Sequence, residues 1–424
     1  MLKTKLLSIL IFFILNFICL EILSFFAFYY YKNEVYYLKP ANVNQDKLSN
    51  PYTAAEAVFH PYYAYLHRVG RQGGWWTTNN VGFQVLTDLI KKDPGCCDYP
   101  FVKDDNDIVV AIFGGSVAAG FSLALQKHPE WAQLLSKNPA WNGKRIRILN
   151  FAMPGFKQPQ QFITLSYWLS LGQQFDLILN IDGFNEVVTS YKNWESGVEP
   201  SFPADTLWGS WGRQLDRSAF KDESHSAKFY LAAWHRTEEK EWNLRSENCL
   251  MASCFWFSQL ISNYSSFRAK RLEINIQVTE QKISLFPTEI NSKFAKNFNI
   301  HEHTAHYWRS SSKAMSALAR DNGSIYLHVL QPNQWWKNSG SYTPLVHDHQ
   351  YKWVIPLVND GYPKLVESLS WLNNKNVNTL DATTIFRGKS SRDVYIDDCC
   401  HFTDNGNEIL ASKIAEKLVK YLNP

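Results

Sequence analysis

The chain has 424 residues, enough for one large domain or two ordinary ones, and is 45% apolar against 19% charged, the balance of a globular rather than a disordered protein. Its 43 Lys and Arg stand against 39 Asp and Glu, leaving +4 with no basic block. That excludes the electrostatic footprint of a nucleic-acid binder. Sixteen Trp, 21 Tyr and 27 Phe form a large aromatic complement; such rings fill cores and also stack on sugars.

Residues 1–32 stand apart. Lys3 and Lys5 precede an apolar run from Leu6 to Tyr31, broken strongly only by Asn16 and Glu21 and long enough to span a bilayer. Tyr29, Tyr30 and Tyr31 suit a membrane interface, and the leading lysines place the N-terminus in the cytoplasm and the remaining chain on the other side. A cleaved signal peptide fits less well, because no small-residue cleavage site follows and the run is long for that role. We therefore expect an uncleaved, single-pass signal anchor with an exported body. Cys19 lies in the anchor. The six other cysteines, Cys96, Cys97, Cys249, Cys254, Cys399 and Cys400, form an even set that an exported protein can pair as disulfides. Their spacing matches no zinc ribbon or finger, and connectivity stays open.

Residues 33–104 are mixed and aromatic, ending in the turn-rich Lys92-Asp93-Pro94-Gly95. We read them as a lead-in segment that packs on a main domain at 105–424. There a strand and helix rhythm begins. Ile108-Val-Val-Ala-Ile-Phe113 is a continuous apolar run suited to a strand buried on both faces. Ile146–Phe151 predicts a second strand, Pro159–Leu171 a helix and Phe175–Ile181 a third strand. From about 187 to 298 the rhythm is lost, with helices expected near 226–245 and 255–271; this stretch reads as an insertion rather than an independent domain. His306–Arg320 then predicts a helix, Ser324–Leu330 a fourth strand and Val377–Leu380 a fifth. Asn405–Leu422 closes the chain as a helix, with Ile409, Leu410, Ile414, Leu418 and Leu422 at helical spacing and Thr403 or Asp404 as cap. Alternation of this kind predicts an α/β three-layer sandwich with a mostly parallel five-stranded sheet. Ligands in such sheets bind outside the carboxyl ends of the strands.

Four segments fall at or just beyond strand ends. Gly114-Gly115-Ser116-Val117-Ala118-Ala119-Gly120 can turn sharply into a helix, exposing a hydroxyl and aiming backbone N–H groups at one point; the plain alternative is a glycine turn with a capping serine. Asn150-Phe151-Ala152-Met153-Pro154-Gly155 offers a glycine whose N–H could approach a ligand, or a simple turn. Ile181-Asp182-Gly183-Phe184-Asn185-Glu186 offers an amide donor, or a turn asparagine. In Tyr395-Ile-Asp-Asp398-Cys-Cys-His401, a carboxylate three residues before an imidazole can hold one ring nitrogen as donor and free the other to take a proton from a serine. A metal pair or a capping aspartate is the alternative there.

In their order and placement these four segments resemble the blocks of the SGNH hydrolase superfamily, the GDSL-like esterases, over about residues 105–190 and 320–424. The resemblance implies an SGNH, flavodoxin-like fold with Ser116 as nucleophile, Asp398 as orienting acid and His401 as base. It further implies an oxyanion hole from the Ser116 and Gly155 N–H groups and the Asn185 side chain. Gly-Gly-Ser stands where the commonest family form is Gly-Asp-Ser, and Gly-x-Asn-Glu where it is Gly-x-Asn-Asp. The implied chemistry is acyl transfer through a covalent intermediate, with no metal or cofactor. The expected substrate is an acylated small molecule or glycan, foremost acetyl groups on a carbohydrate polymer. The same residues would serve a polysaccharide acyltransferase, and a catalytically silent glycan-binding scaffold is the non-enzymatic alternative.

Other features carry less. His301, His303 and His306, and the pair His347 and His349, lack a supporting carboxylate or cysteine pattern for a metal. The glycines around Ser116 lack dinucleotide or P-loop spacing. Gln331-Pro332-Asn333-Gln334 follows the fourth strand, where it would contact substrate or serve as a plain loop.

Overall fold

The computed structural model describes residues 2–32, 35–38, 57–135, 141–195, 198–204, 225–247, 249–277, 299–341 and 352–422. In chain order the elements are α1 (Leu2–Lys32), β1 (Ala57–His60), β2 (Ala64–His67), β3 (Trp76–Thr78), β4 (Gln84–Leu86), α2 (Thr87–Lys92), β5 (Asp107–Gly114), α3 (Ser116–Lys127), α4 (Pro129–Leu135), β6 (Arg145–Asn150), α5 (Gln160–Ser170), β7 (Leu177–Asp182) and α6 (Phe184–Glu195). Then follow α7 (His225–Glu247), α8 (Ala252–Gln277), α9 (Ile300–Asp321), β8 (Ile325–Leu330), α10 (Val354–Asn373), β9 (Thr379–Asp381), α11 (Ser391–Val394) and α12 (Asp404–Leu422).

The chain divides into two compact units. One joins Met1–Ala55 with Trp208–Leu285, the other Glu56–Leu207 with Phe286–Pro424. The stretch that the sequence marks as an insertion is therefore split. Helices α7 and α8 group with α1, while α6 belongs with the sheet.

The larger unit is built on a five-stranded parallel sheet in the order β6-β5-β7-β8-β9. The strand order reverses between β6 and β7, on either side of β5, and a crevice opens at such a switch point beyond the carboxyl ends. All eight residues of β5 and all six of β7 are buried, as central strands covered on both faces require. The edge strands β6 and β9 are only partly buried. This is the expected three-layer α/β sandwich. Two antiparallel hairpins, β1-β2 and β3-β4, precede it. They reach the sheet through Asn150 Nδ2, which donates to the Gln84 carbonyl at 3.0 Å, and through Tyr65 Oη, which donates to the Pro154 carbonyl at 3.1 Å. An aromatic stack of Tyr99, Phe151 and Phe113 lies under the same region, with centroids 4.5 and 5.1 Å apart.

In the smaller unit, α1 is apolar and long enough over Ile11–Lys32 to cross a membrane. It meets the start of α8, where Phe28 packs on Phe255 and on Tyr36, each at 4.9 Å. The six cysteines outside α1 pair locally as Cys96–Cys97, Cys249–Cys254 and Cys399–Cys400.

Candidate active site

Strand β5 runs straight into α3, and the joint is made by glycine. Gly114 has φ +145°, and a Cβ there would stand 2.1 Å from the Ile181 carbonyl oxygen on the neighbouring strand. Only glycine fits such an approach. Gly115 is the N-cap of α3, and no side chain caps the helix. The first N–H groups of α3, beginning with that of Ser116, therefore meet no capping side chain. A helix N-terminus of this kind favours negative charge.

Ser116 Oγ lies 2.7 Å from His401 Nε2, although 285 residues separate them. The other ring nitrogen, Nδ1, is bonded to the Asp397 carboxylate through Oδ2. The arrangement joins a hydroxyl, an imidazole with its proton-accepting nitrogen toward that hydroxyl, and a carboxylate that holds the ring. Burial opposes charge on Asp397, yet the hydrogen bond and charge of His401, with the N–H groups of Cys400 and His401, hold its carboxyl below the usual range.

This corrects the expectation for Asp398. The carboxylate on His401 Nδ1 is supplied one residue earlier, because the loop turns back on itself. Asp397 Oδ1 accepts the backbone N–H groups of Cys399, Cys400 and His401 at 3.0, 2.9 and 3.2 Å, so the other oxygen faces the ring. Asp398 is buried, and its carbonyl accepts from Trp335 Nε1 at 2.6 Å. The loop is closed below by a bridge between Tyr395 and Phe402 and by the Ile396 N–H donating to the His401 carbonyl at 3.0 Å.

Gln331–Gln334, read from sequence as a substrate contact or a plain loop, has a different role. Gln334 Nε2 donates to the Asp397 carbonyl at 2.8 Å and Asn333 Nδ2 to the Cys399 carbonyl at 3.3 Å. With Trp335 they fasten the backbone on which Asp397 and His401 stand. No motif in the chain signalled this, since the donors lie more than 60 residues from their acceptors.

Gly155 follows β6 with φ +80°, in a turn whose Phe156 N–H donates to the Met153 carbonyl at 2.9 Å. Asn185 stands in the first turn of α6, just beyond β7. Its Nδ2 donates to the Phe156 carbonyl at 2.9 Å and lies 2.3 Å from where a Cβ on Gly115 would stand. Blocks one, two and three thus converge, with the amide beside the backbone that precedes Ser116.

Glu186 ties these turns together. Its carboxylate accepts from the Gly183 N–H at 2.8 Å and the Gln158 N–H at 3.0 Å, joining the third block to the chain just past the second. It is fully buried. Burial, and then the nearby Asp182 carboxylate, push its carboxyl up to about 8. Asp182 itself, at the end of β7, accepts from His328 Nε2 and Trp308 Nε1 at 2.8 Å each and from Asn180 Nδ2 at 2.7 Å. The end of β7 is thereby fixed from three sides.

The donor atoms of Cys399, Cys400 and His401 cluster within 4.8 Å, the one such group among the described residues. The two sulfurs are bonded to each other, and a disulfide lacks the thiolate charge on which zinc sites depend. His303 is paired with Glu199 at 3.1 Å on α9. His347 and His349 lie outside the described residues.

No family model matches the chain, and no curated protein matches it significantly. Among solved structures it is similar to a GDSL-like lipase from Bacteroides thetaiotaomicron, at 10% identity and TM-score 0.35, covering 79% of this chain and 97% of that one. It is also similar to a candidate acylhydrolase from Bacteroides fragilis, at 9% identity and TM-score 0.32, covering 76% and 90%. A candidate SGNH hydrolase from Slackia heliotrinireducens gives 11% identity and TM-score 0.31, covering 73% and 98%. The functional reading rests on the chain's own residues and their geometry.

Proposed function

We propose that the chain is a membrane-anchored serine esterase of the SGNH type, acting by acyl transfer through a covalent intermediate. The observation that carries this is the continuous chain from Ser116 Oγ through the His401 ring to Asp397. His401 takes the Ser116 proton as the oxygen attacks an ester carbonyl; Asp397 holds the ring and balances the imidazolium that forms. The oxyanion that develops is met at the start of α3 by the Ser116 N–H, with Gly155 N–H and the Asn185 amide as further donors. His401 returns the proton to the leaving alcohol, and water then releases the acyl group from Ser116. The substrate class we propose is an O-acyl ester, foremost acetyl, on a carbohydrate polymer. The abundance of aromatic side chains and the N-terminal apolar helix support this choice. The test is acetate release from an acetylated polysaccharide and from 4-nitrophenyl acetate by the full-length protein in detergent. Ser116→Ala should lose both while keeping its unfolding midpoint. Unchanged turnover in that variant contradicts the proposal.

A further inference from the structure

Helix α8 is built inside out for a water-soluble protein. The face it buries carries Ser258, Ser262, Ser265 and Ala269, each no more than 3% exposed. The face it leaves open carries Phe257, Leu260, Tyr264 and Phe267, each 58–66% exposed, at the spacing of a single helical stripe. A soluble amphipathic helix does the opposite. Small residues between helices with large apolar residues outside is the pattern of helices packed in lipid. On its buried side α8 pairs with α7, where Ser262 Oγ donates to the Glu239 carbonyl at 3.0 Å and Gln259 Nε2 to Ser246 Oγ at 2.7 Å. The stripe runs out toward Lys270 and Arg271, both exposed.

The same helix begins on α1. Glu21, the carboxylate that interrupts the apolar run, accepts from the Ala252 N–H at 2.6 Å and the Ser253 N–H at 3.1 Å. Trp256 Nε1 donates to the Ser24 carbonyl at 3.0 Å, and Trp256 meets Tyr31 edge to face at 5.9 Å. The loop into α8 exposes Leu250 (83%) and Met251 (41%). Thus α1 meets the first turn and a half of α8, at Ala252, Ser253, Phe255 and Trp256, and the open stripe begins at the next residue, Phe257.

We propose that the α7–α8 hairpin is a second membrane-contacting element, with the Phe257–Phe267 stripe seated in the interfacial layer of the bilayer that α1 enters. This rests on reading α1 as a membrane span. The stripe is continuous with an apolar helix that is itself open to its surroundings, and Lys270 and Arg271 stand at its far end, where they meet lipid phosphates. Glu21, which lies within the apolar run of α1, then has its charge taken up by the N-terminal N–H groups of α8 rather than left to hydrocarbon.

The test uses the full chain with Cys19→Ser, reconstituted in phosphatidylcholine and phosphatidylglycerol vesicles, carrying one nitroxide on an introduced cysteine. Leu260→Cys and Tyr264→Cys probe the stripe, Leu15→Cys is the lipid reference in α1, and Lys313→Cys on α9 is the water reference. Collision with oxygen against a water-soluble nickel chelate reads the environment. The proposal expects oxygen-to-nickel ratios at 260 and 264 several-fold above that at 313. Ratios equal to that at 313, with a high ratio at 15, overturn the hairpin proposal and leave the anchor standing. A low ratio at 15 as well brings down both. Labels at 260 and 264 broadened by a second nitroxide overturn it in favour of a second copy of the chain.

Discussion

Asn185 Nδ2 and Gly115 are so close that a Cβ on the glycine would stand 2.3 Å from the amide nitrogen. The same amide is held by the Phe156 carbonyl at 2.9 Å, which would itself lie 3.1 Å from the added atom. A side chain at the position before Ser116 would therefore push the Asn185 amide aside in this chain, whereas the commonest form of the motif it resembles has aspartate there.

Gly115→Ala should displace the Asn185 amide without touching Ser116 or His401. Losing one oxyanion donor costs about 10²–10³-fold in kcat, and Gly115→Ala should fall toward that range. Asn185→Ala should match it, and the double variant should be no worse than either. Steady-state kinetics on 4-nitrophenyl acetate checks this; additive losses contradict it.

Asp397 and Asp398 are separated by their variants. In the serine, histidine and aspartate template, losing the orienting carboxylate costs about 10⁴-fold. Asp397→Asn should therefore lower kcat by about two to four orders of magnitude, and Asp398→Asn by far less. The reverse order of severity would restore Asp398 as the orienting acid.

Gln334→Ala and Trp335→Phe each remove one donor to the carbonyls of Asp397 and Asp398. Misplacement of a catalytic group by 1 Å can cost about 100-fold. Each variant should lose roughly ten- to 100-fold in kcat with little change in KM. A rise in KM at constant kcat would instead mark these residues as substrate contacts.

Glu186 makes stability depend on pH. Burial, and then Asp182, push its carboxyl up to about 8 in the folded chain, from 4.5 for an ordinary glutamate. The folded state holds a proton that the unfolded chain releases. This contribution is full below about 4.5 and is lost as pH rises through the folded value near 8. Lys157, pushed down to about 7 by burial and partly held up by the Glu186 and Glu199 charges, acts in the opposite sense at higher pH, so the difference from Glu186→Gln reads the glutamate together with its coupling to Lys157. Urea unfolding in detergent at pH 5.5 and 8.5 should show the native chain losing stability relative to Glu186→Gln as pH rises. Parallel curves contradict this.

The sheet was legible because its central strands are short and mainly apolar, unbroken in Ile108–Phe113 and interrupted by Asp176 and Asn180 in Phe175–Ile181; β5 and β7 lie within two residues of those stretches. Helical spacing foretold α9 only over His306–Arg320, its first six residues being missed, and α12 from Asn405 to Leu422. The hairpins β1 to β4 were not foreseen, since strands of three or four residues give too few alternations to register. Helix α10 was hidden by Gly361 and Pro363. The glycine is there for packing, as a Cβ would meet Val187 Cγ1 at 2.5 Å. In the candidate site, Ser116 and His401 were singled out by their motifs, and the structure brings them within 2.7 Å. The assignment to Asp398 missed by one residue, because spacing alone does not reveal that Asp397 Oδ1 collects three backbone N–H groups and thereby turns the loop. Glu186, Gln334 and Trp335 act through contacts distant in sequence, which no local pattern marks.

The proposed activation of Ser116 is tested most directly by a fluorophosphonate, which reacts with a serine whose proton a neighbouring base can take as the oxygen attacks. Intact mass and peptide mapping of the full-length protein should place a single phosphonyl adduct on Ser116, formed at least about 100-fold more slowly in His401→Ala. A folded native chain that takes no adduct there, or reacts as fast without the imidazole, would contradict the account.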